Sequence, residues 1–188
     1  MLLFLHGFAS CGLGEKSRAL TGHFGRHEVL APDLDHDPGA AVRQLEELLD
    51  RHPIDLLVGS SLGGHYAVWL NARRRVPAVL INPAVAPHQL LAPYVGPHRR
   101  WCDGQPFELT PEHIGELERQ YRPSLAADER YLVLLQTADE VLDYRAAEAY
   151  FRGFPIVVQP GGSHRFDRFE TVLPRIEAFR RNPAEVPR

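Results

Sequence analysis

Short, uninterrupted apolar runs separated by amphipathic stretches constrain this chain more than any other feature. Leu2 to Leu5, Val29 to Ala31, Ile54 to Val58, Val76 to Ile81, Tyr131 to Gln136 and Pro155 to Gln159 are too short for buried helices and too continuous for strands with one wet face. Such runs read as strands buried on both sides, which occur almost only in parallel sheets covered by helices on both faces. Between them lie helical patterns at Glu15 to Phe24, Pro38 to Arg51, Leu62 to Arg74, Tyr144 to Arg152 and Arg168 to Arg181. In the clearest, Val42, Leu45, Leu48 and Leu49 share a stripe, and Asp37 followed by Pro38 is a start signal. Strand alternating with helix implies right-handed crossovers. The fold class is α/β: a mostly parallel sheet of about six strands, flanked by helices.

The chain of 188 residues reads as one domain, residues 1–188, long enough to bury a core without metal or disulfide staples. The alternation lapses between Asn82 and Asp128, where prolines punctuate a stretch holding Tyr94, Trp101, Phe107 and Tyr121. Aromatic content argues against disorder there, and residues 83–128 are expected to form a small cap over a site. The tail from Asn182 to Arg188, with two prolines, reads as loose.

With 21 Lys+Arg against 24 Asp+Glu, a formal charge of −3, the chain lacks the electrostatic footprint of a nucleic-acid or anionic-lipid binder. The N-terminal run is too short and lacks the basic flank of a signal peptide, and the apolar segment from Leu56 to Ala72 is interrupted by glycines and serines, so neither reads as a membrane element. Cys11 and Cys102 are too few for a disulfide framework and lack metal-ligand spacing; a reducing, cytoplasmic compartment is the expectation.

Chemistry concentrates at strand ends. Gly59-Ser60-Ser61-Leu62-Gly63 satisfies G-x-S-x-G between a predicted strand and a predicted helix, the context in which a sharp turn pushes the serine out at the carboxyl end of a sheet. A serine here could instead merely cap the helix, a role that suits Ser60 better. A hydroxyl becomes nucleophilic when an imidazole takes its proton and a carboxylate holds that imidazole in one tautomer. Asp139, just past the run Tyr131 to Gln136, and His164, just past the run Pro155 to Gln159, supply both, in the order Ser61, Asp139, His164. Glu140 and Asp143 are rivals for the acid. The oxyanion of an acyl-transfer intermediate needs backbone donors; Leu62, after the nucleophile, and Phe8, after the first strand, are the candidates, while His6 reads as structural.

Together, His6-Gly7-Phe8, Gly59-Ser60-Ser61-Leu62-Gly63-Gly64, Asn82-Pro83-Ala84-Val85, Gln136 to Arg145 and Gly161-Gly162-Ser163-His164 resemble the YqiA-type bacterial esterases, small α/β-hydrolases, over about residues 2 to 180. The resemblance implies cleavage of carboxylic esters, and of acyl-CoA thioesters in some cases, by the positions matching Ser61, Asp139 and His164, without a cofactor or metal. It also implies a trimmed sheet lacking two strands usual in larger relatives. Tyr94, Trp101, Phe107 and Tyr121 are then expected to line an apolar pocket for small or unbranched acyl groups. The expected substrate is a small-molecule acyl ester; the alternatives are an acyl-CoA thioesterase using the same triad, with Arg73 to Arg75 or Arg99-Arg100 meeting phosphates, and a non-catalytic ligand-binding protein of hydrolase fold.

Other motifs are discounted. Gly12 to Ser17 lacks the G-K-S/T of a phosphate loop, because Glu15 separates Gly14 from Lys16. Asp33 to Asp37 gathers hard ligands, but Pro32-Asp33 reads as a turn former. His23 and His27 lack the glutamate of H-E-x-x-H and read as surface histidines.

Overall fold

In a computed structural model, which describes residues 1–183, six strands form one parallel sheet: β1 (Leu2–Leu5), β2 (Val29–Leu30), β3 (Leu56–Ser60), β4 (Ala78–Ile81), β7 (Tyr131–Gln136) and β8 (Ile156–Gln159), in the order β2-β1-β3-β4-β7-β8. The strands β5 (Gly96–Arg99) and β6 (Pro106–Leu109) pair separately as an antiparallel hairpin. The expected α/β class holds. Of the tail read as loose, residues 184–188 lie outside the described residues.

Strand side chains alternate between faces, and the apolar runs divide accordingly. On one face Leu3, Leu5, Leu57, Leu80, Val133 and Leu135 pack against α2 (Pro38–Arg51) and α3 (Leu62–Arg74), with Leu117 of α5 (Pro111–Gln120) and Ala147 of α6 (Tyr144–Tyr150). On the other, Phe4, Val58, Ile81 and Leu134 meet Leu20 of α1 (Glu15–Phe24) and Ile176 and Phe179 of α7 (Leu173–Arg181). Helix α2 starts as read: Asp37 Oδ1 accepts from the N–H groups of Gly39 and Ala40, with Pro38 in the first turn.

Strand order reverses at β1: β2 lies to one side of it and β3 to the other. The helices that follow, α1 and α3, therefore cover opposite faces, and the loops leaving β1 and β3 part above the sheet. In open parallel sheets this switch point is where a crevice forms.

Between β4 and β7 the chain is more regular than its prolines suggest. It forms α4 (Pro87–Leu91), a short 3-10 turn, the β5–β6 hairpin and α5. Proline at the first turns of α4 and α5 suits helix starts, and Thr110 caps α5 by accepting from the His113 N–H. Periodicity missed the hairpin because its strands, half polar and half exposed, carry no apolar signature.

Two expectations change. Cys11 and Cys102, 91 residues apart, form a disulfide with their Cα atoms 6.2 Å apart; a non-local contact between two loops is invisible to a count of cysteines, and the argument from that count to a reducing compartment falls. Second, Pro32-Asp33 does more than shape a turn: Asp33 accepts from the Gly12 N–H at 2.8 Å and pairs with Arg100 at 2.8 Å, tying three loops together. Among the described residues no helix is long and apolar enough to cross a membrane.

Candidate active site

The turn from β3 to α3 is tight for a steric reason. A Cβ on Gly59 would lie 2.4 Å from the Gly63 carbonyl oxygen, and one on Gly63 would lie 2.1 Å from that of Leu5, so only glycine lets α3 start this close to the sheet. Ser61 sits at the apex with φ +54° and ψ −118°, a positive-φ conformation that a non-glycine residue holds only under outside constraint. Its N–H donates to the Ile81 carbonyl at 3.0 Å, which anchors the turn to β4. Although it occupies the N-cap position of α3, its side chain makes no capping hydrogen bond. The hydroxyl is left for another partner.

That partner is His164, whose Nε2 lies 3.1 Å from Ser61 Oγ, while its Nδ1 lies 2.9 and 3.0 Å from the two carboxylate oxygens of Asp139. The three side chains come from loops after β3, β7 and β8. The Asp139 side chain is 2% exposed. Burial pushes its pKa up, but hydrogen bonds from His164 and from the N–H groups of Leu142 and Val141 outweigh burial and hold it below the ordinary carboxylate range.

The rival carboxylates hold other positions. Glu140 Oε2 accepts the His164 backbone N–H at 2.9 Å, fixing the histidine's main chain while Asp139 meets its ring. Asp143 caps α6 by accepting from the Arg145 N–H.

Two buried amides complete the frame. Asn82, at the end of β4, accepts from the Gln136 N–H at 3.0 Å and donates to the carbonyls of Ser163 at 3.0 Å and His164 at 3.3 Å. Gln136, the last residue of β7, accepts from the Ser163 and Asp167 N–H groups and donates to the Gln159 side chain and the Asp167 carbonyl. Sequence reasoning assigned neither a role. The available signal was a polar residue closing each of two otherwise apolar runs, since a buried amide there must be satisfied.

The loop after β1 runs alongside the serine. A Cβ on Gly7 would lie 3.1 Å from Ser61 Cβ, so the backbone leading into Phe8 touches the nucleophile candidate. Among the described residues neither the Phe8 nor the Leu62 N–H donates within the chain. His6 is structural, as read: buried, it accepts the Leu34 N–H on Nε2 at 2.9 Å.

The expected apolar pocket is not assembled from the four aromatics. Trp101 and Tyr94 are 83% and 61% exposed, because the hairpin and the turn before it hold them on the surface. Tyr121 packs by His88 and Tyr150, away from Phe107. Phe107 alone joins an aromatic group beside the β1 loop: His36 stacks on it at 3.9 Å, and Phe8 meets Phe107 and His98 edge-on. Sequence reasoning did not place His36 or His98 in this group, since single histidines, one in a loop and one in the half-polar strand β5, carry no periodic signal. Of the two discounted histidines, His23 is exposed and pairs with Glu177.

A parallel sheet with its site at the switch point, a glycine-tight elbow after the third strand and an Asp-His-Ser chain across strand ends define the α/β-hydrolase fold. Solved structures with that shape include Est1E from Butyrivibrio proteoclasticus (TM-score 0.76, 17% identity, covering 97% of this chain and 87% of that one) and a putative hydrolase from Agrobacterium vitis S4 (TM-score 0.72, 19% identity, 93% and 87%). The esterase domain of a Rhodothermus marinus protein is also similar (TM-score 0.65, 22% identity, 96% and 86%).

The chain belongs to UPF0227, an uncharacterised protein family, whose model matches residues 1–181. This agrees with the YqiA-type resemblance. Similar relatives include a UPF0227 protein of Shewanella sp. (strain MR-7), 27% identical over 190 residues and covering 96% of this chain and 99% of that one, and the UPF0227 protein YcfP of Salmonella arizonae, 25% identical over 188 residues at 96% and 98%.

Proposed function

We propose that this protein is a serine hydrolase that cleaves carboxylic esters of small or unbranched acyl groups through an acyl-enzyme. The observation that carries the reading is the unbroken hydrogen-bonded chain from Asp139 through His164 to a Ser61 hydroxyl with no capping role.

In this mechanism Ser61 Oγ attacks the ester carbonyl carbon as His164 Nε2 takes the hydroxyl proton. Asp139, kept ionised by its hydrogen bonds, holds the ring with Nδ1–H directed at itself and stabilises the imidazolium. The free N–H groups of Phe8 and Leu62 receive the oxyanion, each contributing roughly 10²–10³ in rate by analogy with single-donor deletions. His164 then returns its proton to the leaving alkoxide, and the alcohol departs. Water, deprotonated by His164, attacks the acyl-Ser61 carbonyl; collapse releases the acid and restores the Ser61 hydroxyl. No step calls for a metal or cofactor.

Esters are favoured over acyl-CoA thioesters because the arginines available for phosphates are engaged. Arg73 pairs with Glu46, Arg74 with Asp50, and Arg75 with Asp128 and Glu129; Arg99 donates to the Gly104 carbonyl, and Arg100 pairs with Asp33 and Asp103. In this reading the β5–β6 hairpin, whose Phe107 packs against Phe8, serves as the cap over the acyl group.

The test is labelling with a fluorophosphonate, which needs an activated serine and no knowledge of the substrate, followed by peptide mapping. The expected result is adduct on Ser61 in the wild type and its loss in His164→Ala. A folded wild type that takes no label sinks the enzyme reading and favours a ligand-binding protein of hydrolase fold.

A further inference from the structure

The β5–β6 hairpin is fastened to the loop after β1 at three places. Phe8 packs edge-on against His98 and Phe107, the Trp101 N–H donates to the Ala9 carbonyl at 2.8 Å, and Cys11 is bonded to Cys102. Ala9, the residue after the Phe8 donor, has φ +54°, so this loop holds a left-handed alanine that its own sequence does not favour. The fastening bears directly on where the Phe8 N–H points.

Around the sulfurs the chemistry suits thiol exchange. The Arg100 guanidinium lies against Cys11 Sγ and 3.6 Å from Cys102 Sγ, and a guanidinium favours the thiolate, the nucleophilic form. Cys11 is buried at 8% exposure, whereas Cys102 is exposed at the hairpin tip. Cys11, Cys102 and Asp103 could be taken for metal ligands, but the guanidinium among them opposes a cation.

We propose that Cys11 and Cys102 are a reversible thiol–disulfide clasp that sets the position of the oxyanion loop, making turnover at Ser61 respond to the thiol redox state of the surroundings. The effect on turnover rests on the serine-hydrolase reading; the clasp itself does not. Closure needs a low-molecular-weight disulfide such as oxidised glutathione. The exposed Cys102 thiolate attacks one of its sulfurs, forming a mixed disulfide and expelling one glutathione thiolate. The Cys11 thiolate then attacks the Cys102 sulfur, forming the internal bond and expelling the second. Two electrons pass from the protein dithiol to glutathione disulfide, and the two thiol protons end on the two glutathiones; reduction runs the same steps backwards.

The full-length protein is equilibrated in glutathione buffers from reducing to oxidising, and each sample is split between alkylation with mass spectrometry and hydrolysis of p-nitrophenyl acetate. The disulfide form is expected to have a kcat ~3- to 30-fold above the dithiol form, a fraction of the ~10²–10³ that one oxyanion donor supplies, with little change in KM, because the donor acts on the transition state. Thiol loss and activity gain should share one midpoint. Cys11→Ser and Cys102→Ser should each show the dithiol rate at every poise; should either fail to fold, the wild-type titration decides alone. Both thiols remaining alkylatable in excess oxidised glutathione overturns the clasp, and so does a disulfide that forms without changing kcat. If neither form turns over ester, the hydrolase reading fails separately, and amide hydrogen exchange at residues 7–12 decides the clasp: slower exchange in the disulfide form supports it, equal exchange overturns it.

Discussion

Replacing Asn82 probes how the histidine loop is held. Its side chain, in a residue 2% exposed, accepts one backbone N–H and donates to two backbone carbonyls that flank His164. Truncation leaves the buried Gln136 N–H without an acceptor, at about 1–3 kcal/mol, and removes two further bonds at ~0.5–1.5 kcal/mol each, for a total of about 2–6 kcal/mol. Asn82 also has φ +40°, which asparagine tolerates and alanine resists by ~1–2 kcal/mol. Asn82→Gly removes the amide without that penalty, so the pair separates backbone strain from lost hydrogen bonds. Both variants should melt earlier, Asn82→Ala more so. Both should also lose turnover, because a shift of ~1 Å in a catalytic group can cost ~10² in rate. The assay is urea unfolding alongside ester hydrolysis at a temperature where both variants remain folded. If Asn82→Gly loses stability while its kcat stays within about threefold of the wild type, Asn82 supports the fold without setting His164, and the framing argument is wrong.

Other outcomes follow from the same geometry. Asp139→Asn should fold, since its amide oxygen can still accept from Val141 and Leu142, yet turn over slower by up to about 10⁴ through loss of the required tautomer; full activity there would move the acid's role elsewhere. Glu140→Gln should cost less than about tenfold because it keeps an acceptor for the His164 N–H, and Asp143→Ala should cost ~1 kcal/mol of stability with activity unchanged, both read from kcat and melting curves. Burial, aided by neighbouring His88, lowers the pKa of His65 to about 4. The folded state thus excludes a proton that the unfolded chain binds below its ordinary value of 6.5. Stability contributed by this group is complete above that pH and falls by about 3 kcal/mol on acidification to about 4, as 1.36 kcal/mol per pKa unit requires. Urea unfolding at several pH values should show that slope in the wild type and a flatter one in His65→Gln.

Much of the fold was legible because the determining interactions are local. Apolar runs of strand length can satisfy their backbone and bury both faces only inside a covered parallel sheet, and the helix Leu62–Arg74 and strand Tyr131–Gln136 lie where pattern and breakers put them. Ser61, Asp139 and His164 could be nominated because each follows a strand, and carboxyl ends of parallel strands lie on one side of the sheet. Their hydrogen-bonding distances could not, nor could the division of labour among Asp139, Glu140 and Asp143, which turns on the path of one loop.

The sequence by itself therefore determined the class of fold, the helix starts and the set of strand-end residues from which a site could be drawn, since propensity, capping and hydrophobic period act over a few neighbours. Tertiary structure alone decided what depends on segments far apart in the chain meeting in space. It placed the Asn82 and Gln136 amides under the histidine loop, sent Tyr94 and Trp101 to the surface, set His36 on Phe107, and joined Cys11 to Cys102 across 91 residues. Those contacts follow from packing around the finished sheet, and no local pattern encodes them.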